Sequence, residues 1–302
     1  MDRLLVIGST GLVGSKLASM AANHGFESYN TQNTRKSPFP NSFQLDITDR
    51  HATLRVVREI QPKVIVNTAA LTNVDYCETH QEEAESVNVG GTTNLAEAAQ
   101  ENNSRLVHTS TDSVFDGTHG HYSESDNPNP INHYAMTKLA SEKVVSKLSN
   151  YAIARPSVVY GWHSQVAKVH AGSKTMNFAM FVLDKLERNE TVRAIRDQYS
   201  SPTFADNLAE GLLRLAKSPE NGIFHTAGRS CLSRYEFAIK LTEFFAYPSI
   251  LVQPVFTREF LQEAVRPKNC CLRVEKAERI LKMRFLTADE GIGEMRRQAQ
   301  SV

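Results

Sequence analysis

Short apolar runs alternate with longer stretches of helical periodicity. Leu4-Leu5-Val6-Ile7 is an unbroken apolar run that stops at Gly8. Val13, Leu17, Met20, Ala21 and His24 then recur at i, i+4, i+7, i+8 and i+11, and Gly25 follows as a C-cap, which predicts a helix. Further strands are predicted at Phe26 to Tyr29, Ser42 to Leu45, Lys63 to Asn67, Arg105 to Thr109 and Tyr151 to Arg155. Helical patterns fill the intervals near 50–60, 81–102 and 133–149. Continuous apolar strands separated by helices predict a parallel sheet covered on both faces. After about Gly161 the rhythm changes, loops lengthen and prolines recur at Pro202, Pro219, Pro248, Pro254 and Pro267. Gly222 to Thr226 reads as a late strand that rejoins the main sheet. The expected fold is α/β, a Rossmann-type doubly wound parallel sheet with a smaller, mostly helical C-terminal substrate domain. The expected division is 1–160 for the nucleotide-binding unit, to which 204–228 returns, and 161–302 for the second. The last helix, roughly Ala288 to Ala299, is charged and expected on the surface.

The turn after the first strand is Gly8-Ser9-Thr10-Gly11-Leu12-Val13-Gly14. A strand, a glycine turn and a helix form a dinucleotide-binding unit. Gly8 lets the chain turn off the strand, Gly11 lets backbone N–H groups approach a pyrophosphate, and Gly14 lets the helix pack close to the sheet. The helix N-terminus then faces the anion. The alternative is a tight strand-to-helix turn that holds no ligand.

Composition narrows the class. The chain has 302 residues and a formal net charge of +1, which argues against a nucleic-acid or membrane-surface protein. No stretch reaches the ~18 apolar residues of a membrane span. The first strand begins by Leu4, so no secretory h-region is expected. The cysteines Cys77, Cys231, Cys270 and Cys271 form no disulfide framework and no C-x-x-C, which suits a cytoplasmic location. Cys270 and Cys271 are expected as packed thiols, with a strained vicinal disulfide as the alternative.

Tyr134 and Lys138 stand at i, i+4 near the start of a predicted helix and so share a face. An ammonium beside a phenol would lower its pKa from about 10 and let it trade a proton with a carbonyl or alcohol. Ser110-Thr111-Asp112, at the end of the fifth strand, points a hydroxyl into the same crevice.

Glycine turn, hydroxyl, tyrosine and lysine together resemble the short-chain dehydrogenase/reductases. The chain is most similar to their extended branch, in the dTDP-4-dehydrorhamnose reductase family. The glycine turn carries the match, with Asp46 to Asp49, Asn67 to Asp75 with Cys77-Glu78, Ser110 to Gly117, Tyr134 to Lys138 with Glu142, Arg155 to Gly161, Asp197 to Thr203 and Arg266-Pro267. The resemblance implies an oxidoreductase of nucleotide-sugar (dTDP-rhamnose) biosynthesis that reduces a 4-keto-6-deoxy nucleotide sugar with a nicotinamide. It implies Tyr134 as proton donor, Lys138 as its partner on the nicotinamide ribose, and Thr111 on the substrate oxygen. It implies a cofactor held by Gly8, Thr10, Gly11, Leu12, Val13 and Gly14, by Asp46 and Ile47 at the adenine, and by Asn67, Ala69, Ala70 and Thr109. Asn88 would brace the site. Thr72, Val74, Ser113, Asn177 and Arg266 would meet the substrate. It further implies a nucleotide-sugar partner, allows a homodimer, and calls for no metal.

Departures from the pattern qualify the substrate. Ser113 stands where the family has tyrosine, which puts the sugar's identity in question, and Ala135 replaces a usual glycine. Cofactor choice is read after the second strand, where an NAD-specific chain places an acid. Here Tyr29 to Lys36 carries no acid and two cations, and Arg35 suits a 2′-phosphate. NADP(H) is therefore preferred, with NAD(H) as the alternative. Arg35 and Lys36 have a solvated loop as their other reading, and His119-Gly120-His121 reads as a solvated loop rather than a metal site. Trp162 and His163 border the sugar pocket or belong to a core. Asp112 and Asp116 are expected to fix the turn. Two competing functions remain: an NADP-binding regulatory subunit resembling that of methionine adenosyltransferase, and an epimerase or dehydratase. A dehydratase adds acids beside the catalytic threonine, where Asp112-Ser113 supplies one.

Overall fold

A computed structural model describes residues 1–163 and 176–300. Its main sheet is built from β1 (Asp2–Ile7), β2 (Phe26–Gln32), β3 (Ser42–Gln44), β4 (Val64–Asn67), β5 (Arg105–Thr109), β6 (Tyr151–Arg155) and the late strand Gly222–His225. All pair in parallel, in the spatial order Gly222–His225, β6, β5, β4, β1, β2, β3. The order reverses between β1 and β4, and a ligand crevice opens beyond the strand ends at such a point.

Alternation along β1 explains why both faces are covered. Leu4 and Val6 face one core with α1 (Leu12–Met20) and α8 (Ala205–Lys217). Leu5 and Ile7 face the other with α2 (Arg50–Ile60) and α5 (Gly91–Glu101). The intervening helices are α3 (Val74–Thr79), α4 (Gln81–Glu85), α6 (His133–Val145) and α7 (Phe178–Glu187). Later come α9 (Arg234–Phe245), α10 (Glu275–Leu281) and α11 (Ala288–Gln300). Gly25 caps the stretch after α1 at φ +71°, as the sequence predicts.

Helix α8 packs on α1, and Gly222–His225 pairs with β6 at the edge of the main sheet. The chain then comes back a second time: Leu272, Val274, Ala277, Leu281 and Phe285 share the first core with the sheet. A separate core joins Tyr160, α7, α9 and α11. Two expectations need correction. Helix α11 is not merely a charged surface helix, because Ile292 and Met295 are fully buried. The cysteines also pair: Cys231 and Cys271 form a disulfide, leaving Cys77 and Cys270 as buried thiols. Forty residues separate the bonded pair in sequence, and only the fold brings their Cα atoms to 5.4 Å.

Among the described residues, no helix is long and apolar enough to cross a membrane. No group of three or more His, Cys, Asp or Glu side chains among them could hold a metal.

Candidate active site

The glycine turn forms a phosphate cradle. Gly8 leaves β1 at φ +82°, and its N–H donates to Thr31 Oγ1 at 3.1 Å. A Cβ on Gly14 would overlap the Gly8 carbonyl oxygen, so only glycine lets α1 start this close to the turn. Gly11 is the N-cap of α1, with no side-chain acceptor and no acid in the first turn. The first amide groups of the helix are thus left for an anion. Gly11, Leu12, Val13 and Gly14 line a cleft of about 580 Å³ together with Arg35. Arg35 is exposed and makes no ion pair among the described residues. An uncapped helix terminus with a free guanidinium beside it fits the phosphates of NADP.

Not every expected cofactor residue reaches the cleft. Gly8, Thr10, Asp46, Ile47, Asn67, Ala69 and Lys138 are not among its lining. Asp46 Oδ1 is taken by the Thr48 amide at 2.9 Å and hydroxyl at 2.8 Å, which fixes a turn. Ile47 is buried against Gly91. Asn67 is buried beneath the site: its Oδ1 accepts from Ala69 N at 3.0 Å, which leaves Nδ2 to donate to His108 Nδ1 at 3.2 Å. That bond places the imidazole proton on Nε2, facing Ser141 Oγ at 2.9 Å and Lys138 Nζ at 3.2 Å. Ala70 and Thr109 do line the cleft.

Tyr134, Thr111 and Ser113 meet at the far end of the same cleft. Helix α6 presents Tyr134 because Asn132 caps its start, Oδ1 accepting from Ala135 N at 2.9 Å. Thr111 donates to Asp112 Oδ1 at 3.1 Å and accepts from Ser113 N at 3.2 Å. Lys138 lies buried one turn below Tyr134, and its Nζ donates to the Thr109 carbonyl at 2.8 Å. The charge relation differs from expectation. Burial pushes the Tyr134 phenol above its ordinary value, with the Thr111 hydroxyl pulling the other way. Burial also pulls Lys138 down to about 8, opposed by Glu142. Desolvation dominates at both groups and Lys138 does not draw the phenol down, so Tyr134 keeps its proton rather than losing it early. His108 is held well below its usual range by burial and by Lys138.

A buried ion pair supports this end of the site. Arg155 donates to Glu142 through Nε at 2.8 Å and Nη2 at 2.6 Å, and Ser110 Oγ donates to Glu142 Oε1 at 2.5 Å. Asn88 ties the β4 loop to α6, accepting from Leu71 N at 2.8 Å and donating to Thr137 Oγ1 at 3.0 Å. Asp116 fixes its turn, accepting from Tyr122 Oη at 2.7 Å and Thr118 N at 3.0 Å. Asp112 is buried, and takes the Ser157 hydroxyl at 2.5 Å.

On the substrate side, Thr72, Val74, Ser113 and Asn177 line the main cleft. Asn177 also caps α7 and donates to the Gly161 carbonyl at 2.8 Å. Arg266 lies outside it, in an adjoining cavity of about 80 Å³ that Ser113 shares, and pairs with Asp75 at 2.8 Å. His163 lines the cleft, whereas Trp162 donates to the Met295 carbonyl at 2.7 Å and belongs to the α11 interface. His119 packs against the Tyr122 ring at 4.0 Å. Sequence reasoning missed Thr68, Val158 and Arg234, which also line the cleft. Val158 holds φ at +39°, rare for a β-branched residue and a mark of a constrained site. The Arg155-to-Gly161 motif was its available signal. Arg234 had none.

The family described as the RmlD substrate binding domain matches residues 1–301. A dTDP-4-dehydrorhamnose reductase of Aggregatibacter actinomycetemcomitans is 31% identical, with 92% of each chain covered. The methionine adenosyltransferase 2 subunit beta of Rattus norvegicus is also 31% identical, covering 91% of this chain and 81% of that protein. A dTDP-4-dehydrorhamnose reductase from Bacillus anthracis, solved in complex with NADP, superimposes with a TM-score of 0.86 at 29% identity, covering 98% of this chain and 99% of that one.

Proposed function

The chain belongs to the RmlD substrate binding domain family, and from that membership we propose that it is an NADP(H)-preferring reductase of a 4-keto-6-deoxy nucleotide sugar. The observation that carries the reading is one continuous cleft. It runs from the uncapped N-terminus of α1 and Arg35 to Tyr134, Thr111 and Ser113.

When bound, the nicotinamide supplies the hydride. The chain does the rest. Backbone amides of Leu12, Val13 and Gly14 hold the pyrophosphate, and Arg35 takes the 2′-phosphate. NAD(H) would bind the same cradle without that last contact. The Thr111 hydroxyl would turn from Asp112 Oδ1 to donate to the 4-keto oxygen and hold it against Tyr134. Tyr134 then gives its phenolic proton to that oxygen as the carbon becomes an alcohol carbon. A phenol held protonated by burial suits the reductive direction. Lys138 is buried beside the cleft, where its Nζ donates to the Thr109 carbonyl, and it would hold the floor beneath Tyr134 and the nicotinamide ribose.

The proposal assigns residues 1–160, with the return near 204–228, to the cofactor and 161–302 to the sugar. It includes a cytoplasmic location and a homodimer. The test is NADPH oxidation by the purified protein with a panel of 4-keto-6-deoxy nucleotide sugars. Turnover on at least one supports the reading. NADPH binding with no turnover on any would favour a regulatory role like that of the methionine adenosyltransferase subunit.

A further inference from the structure

Among the described residues, Arg234 lines the substrate end of the cleft without an ion pair of its own. It is the first residue of α9, and the helix start is rigid: Ser233 Oγ accepts from Glu236 N at 3.1 Å, and Glu236 Oε2 accepts from Ser233 N at 2.7 Å. Just upstream, Leu232-Ser233 pairs with Tyr199-Ser200, and the Cys231–Cys271 disulfide ties the same loop to the segment after Arg266. The guanidinium lies over the Phe178 ring, 4.9 Å from its centroid, which covers a face and leaves the N–H edges open.

Those edges have no partner of their own. Among the described residues, no carboxylate lies within ion-pair distance of Arg234 and no hydrogen bond engages it. The nearest acid in its field, Asp112, already accepts from Ser157 and Thr111. The second guanidinium in its field, Arg266, pairs with Asp75 and does nothing to neutralise it. Arg234 is nonetheless desolvated enough that burial pulls its pKa down. Arg234 is half-buried, so its unpaired N–H edges stay open toward the cleft, where an anion can meet them.

Position says which ligand. Arg234, Ser113 and Asp112 line both the reactive cleft and the small cavity that holds Arg266. Arg234 therefore stands between the Tyr134–Thr111 end and the second arginine. Ser113 keeps that passage open, because its side chain is a single hydroxymethyl.

We propose that Arg234 is a specificity-determining residue that binds an anionic oxygen group of the substrate, with Ser113 leaving the room for it. The inference rests on the nucleotide-sugar reading above. Two sources share this chemistry: the sugar-proximal phosphate of a nucleoside diphosphate, and a carboxylate on the sugar itself. Both present paired oxygens to the guanidinium fork.

The experiment uses NADP-saturated protein, so that the cofactor cradle is filled. Wild type, Arg234→Gln and Arg234→Lys are titrated calorimetrically with dTDP, dTMP and UDP-glucuronate against UDP-glucose, and their thermal shift is read with inorganic pyrophosphate. NADPH affinity equal to wild type shows that each variant is folded. A phosphate contact predicts that Arg234→Gln loses about 10–100-fold for dTDP with dTMP unchanged, and loses the pyrophosphate shift. A sugar-carboxylate contact predicts instead that wild type prefers UDP-glucuronate to UDP-glucose and that Arg234→Gln abolishes the preference. Arg234→Lys should fall between wild type and Arg234→Gln in either case. Equal responses of wild type and Arg234→Gln to every probe overturn the proposal. A pyrophosphate shift that depends on Arg234, in a protein that turns over no 4-keto sugar, would sink the reductase reading and leave this one standing.

Discussion

Removing Glu142 tests how the site is held together. The Glu142 and Arg155 side chains are 4% and 1% exposed. Glu142→Ala deletes two charge-assisted bonds from Arg155 and one from Ser110. The stranded guanidinium has little else to use, since its Nη1 already lacks a partner and it otherwise lies over the Phe115 ring at 5.1 Å. Breaking a buried pair from one side costs about 3–5 kcal/mol, against a total stability of about 5–15 kcal/mol for an ordinary domain. The variant should therefore be marginally folded. Because Ser110 immediately precedes Thr111, the Ser110–Asp112 loop should loosen as well. Urea unfolding followed by far-ultraviolet circular dichroism measures the loss. The double variant Glu142→Leu/Arg155→Met is the control, because an apolar pair of similar bulk leaves no buried charge and should recover most of the stability. A loss below about 1 kcal/mol in Glu142→Ala would refute the reasoning.

Burial and the Arg155 guanidinium hold His225 down to about 3, whereas an unfolded histidine takes up a proton near 6.5. The unfolded chain thus binds more protons between those values, and stability should fall with falling pH by up to about 1.4 kcal/mol per unit from this residue; an unchanged slope in His225→Gln, by urea unfolding from neutral pH to pH near 5, would contradict the assignment. Arg35→Ala should weaken NADPH binding about 10-fold or more and leave NADH nearly unaffected, as read by nucleotide fluorescence; equal losses for both cofactors would remove Arg35 from the 2′-phosphate.

Much of this was legible in the sequence where one residue type has one physical use. The runs at Leu4 to Ile7 and Lys63 to Asn67 could only be buried strands, and β5 and β6 fall at the predicted residues. Strand β2 runs three residues past its expected end because Asn30 and Thr31 break the apolar pattern yet are buried. Asn30 Nδ2 donates to the Pro40 carbonyl and Thr31 Oγ1 accepts from the Gly8 N–H of the glycine turn. The tyrosine–lysine spacing placed Tyr134 and Lys138 on one helix but did not give their proton affinities, since burial is a tertiary property. Cys231–Cys271 and Arg234 were illegible for a related reason. Each acquires its meaning from a neighbour distant in sequence, and no local spacing marks it.

The central claim is that Tyr134 supplies the proton to a substrate carbonyl in a cleft that binds NADPH independently of it. The most direct measurement is single-turnover NADPH oxidation by Tyr134→Phe and wild type, on a 4-keto-6-deoxy nucleotide sugar that wild type reduces, with NADPH affinity measured on the same samples. The account predicts a rate lower by about 10²–10⁴-fold with affinity within about twofold of wild type. A near-normal rate in Tyr134→Phe, with NADPH bound as tightly, would contradict it.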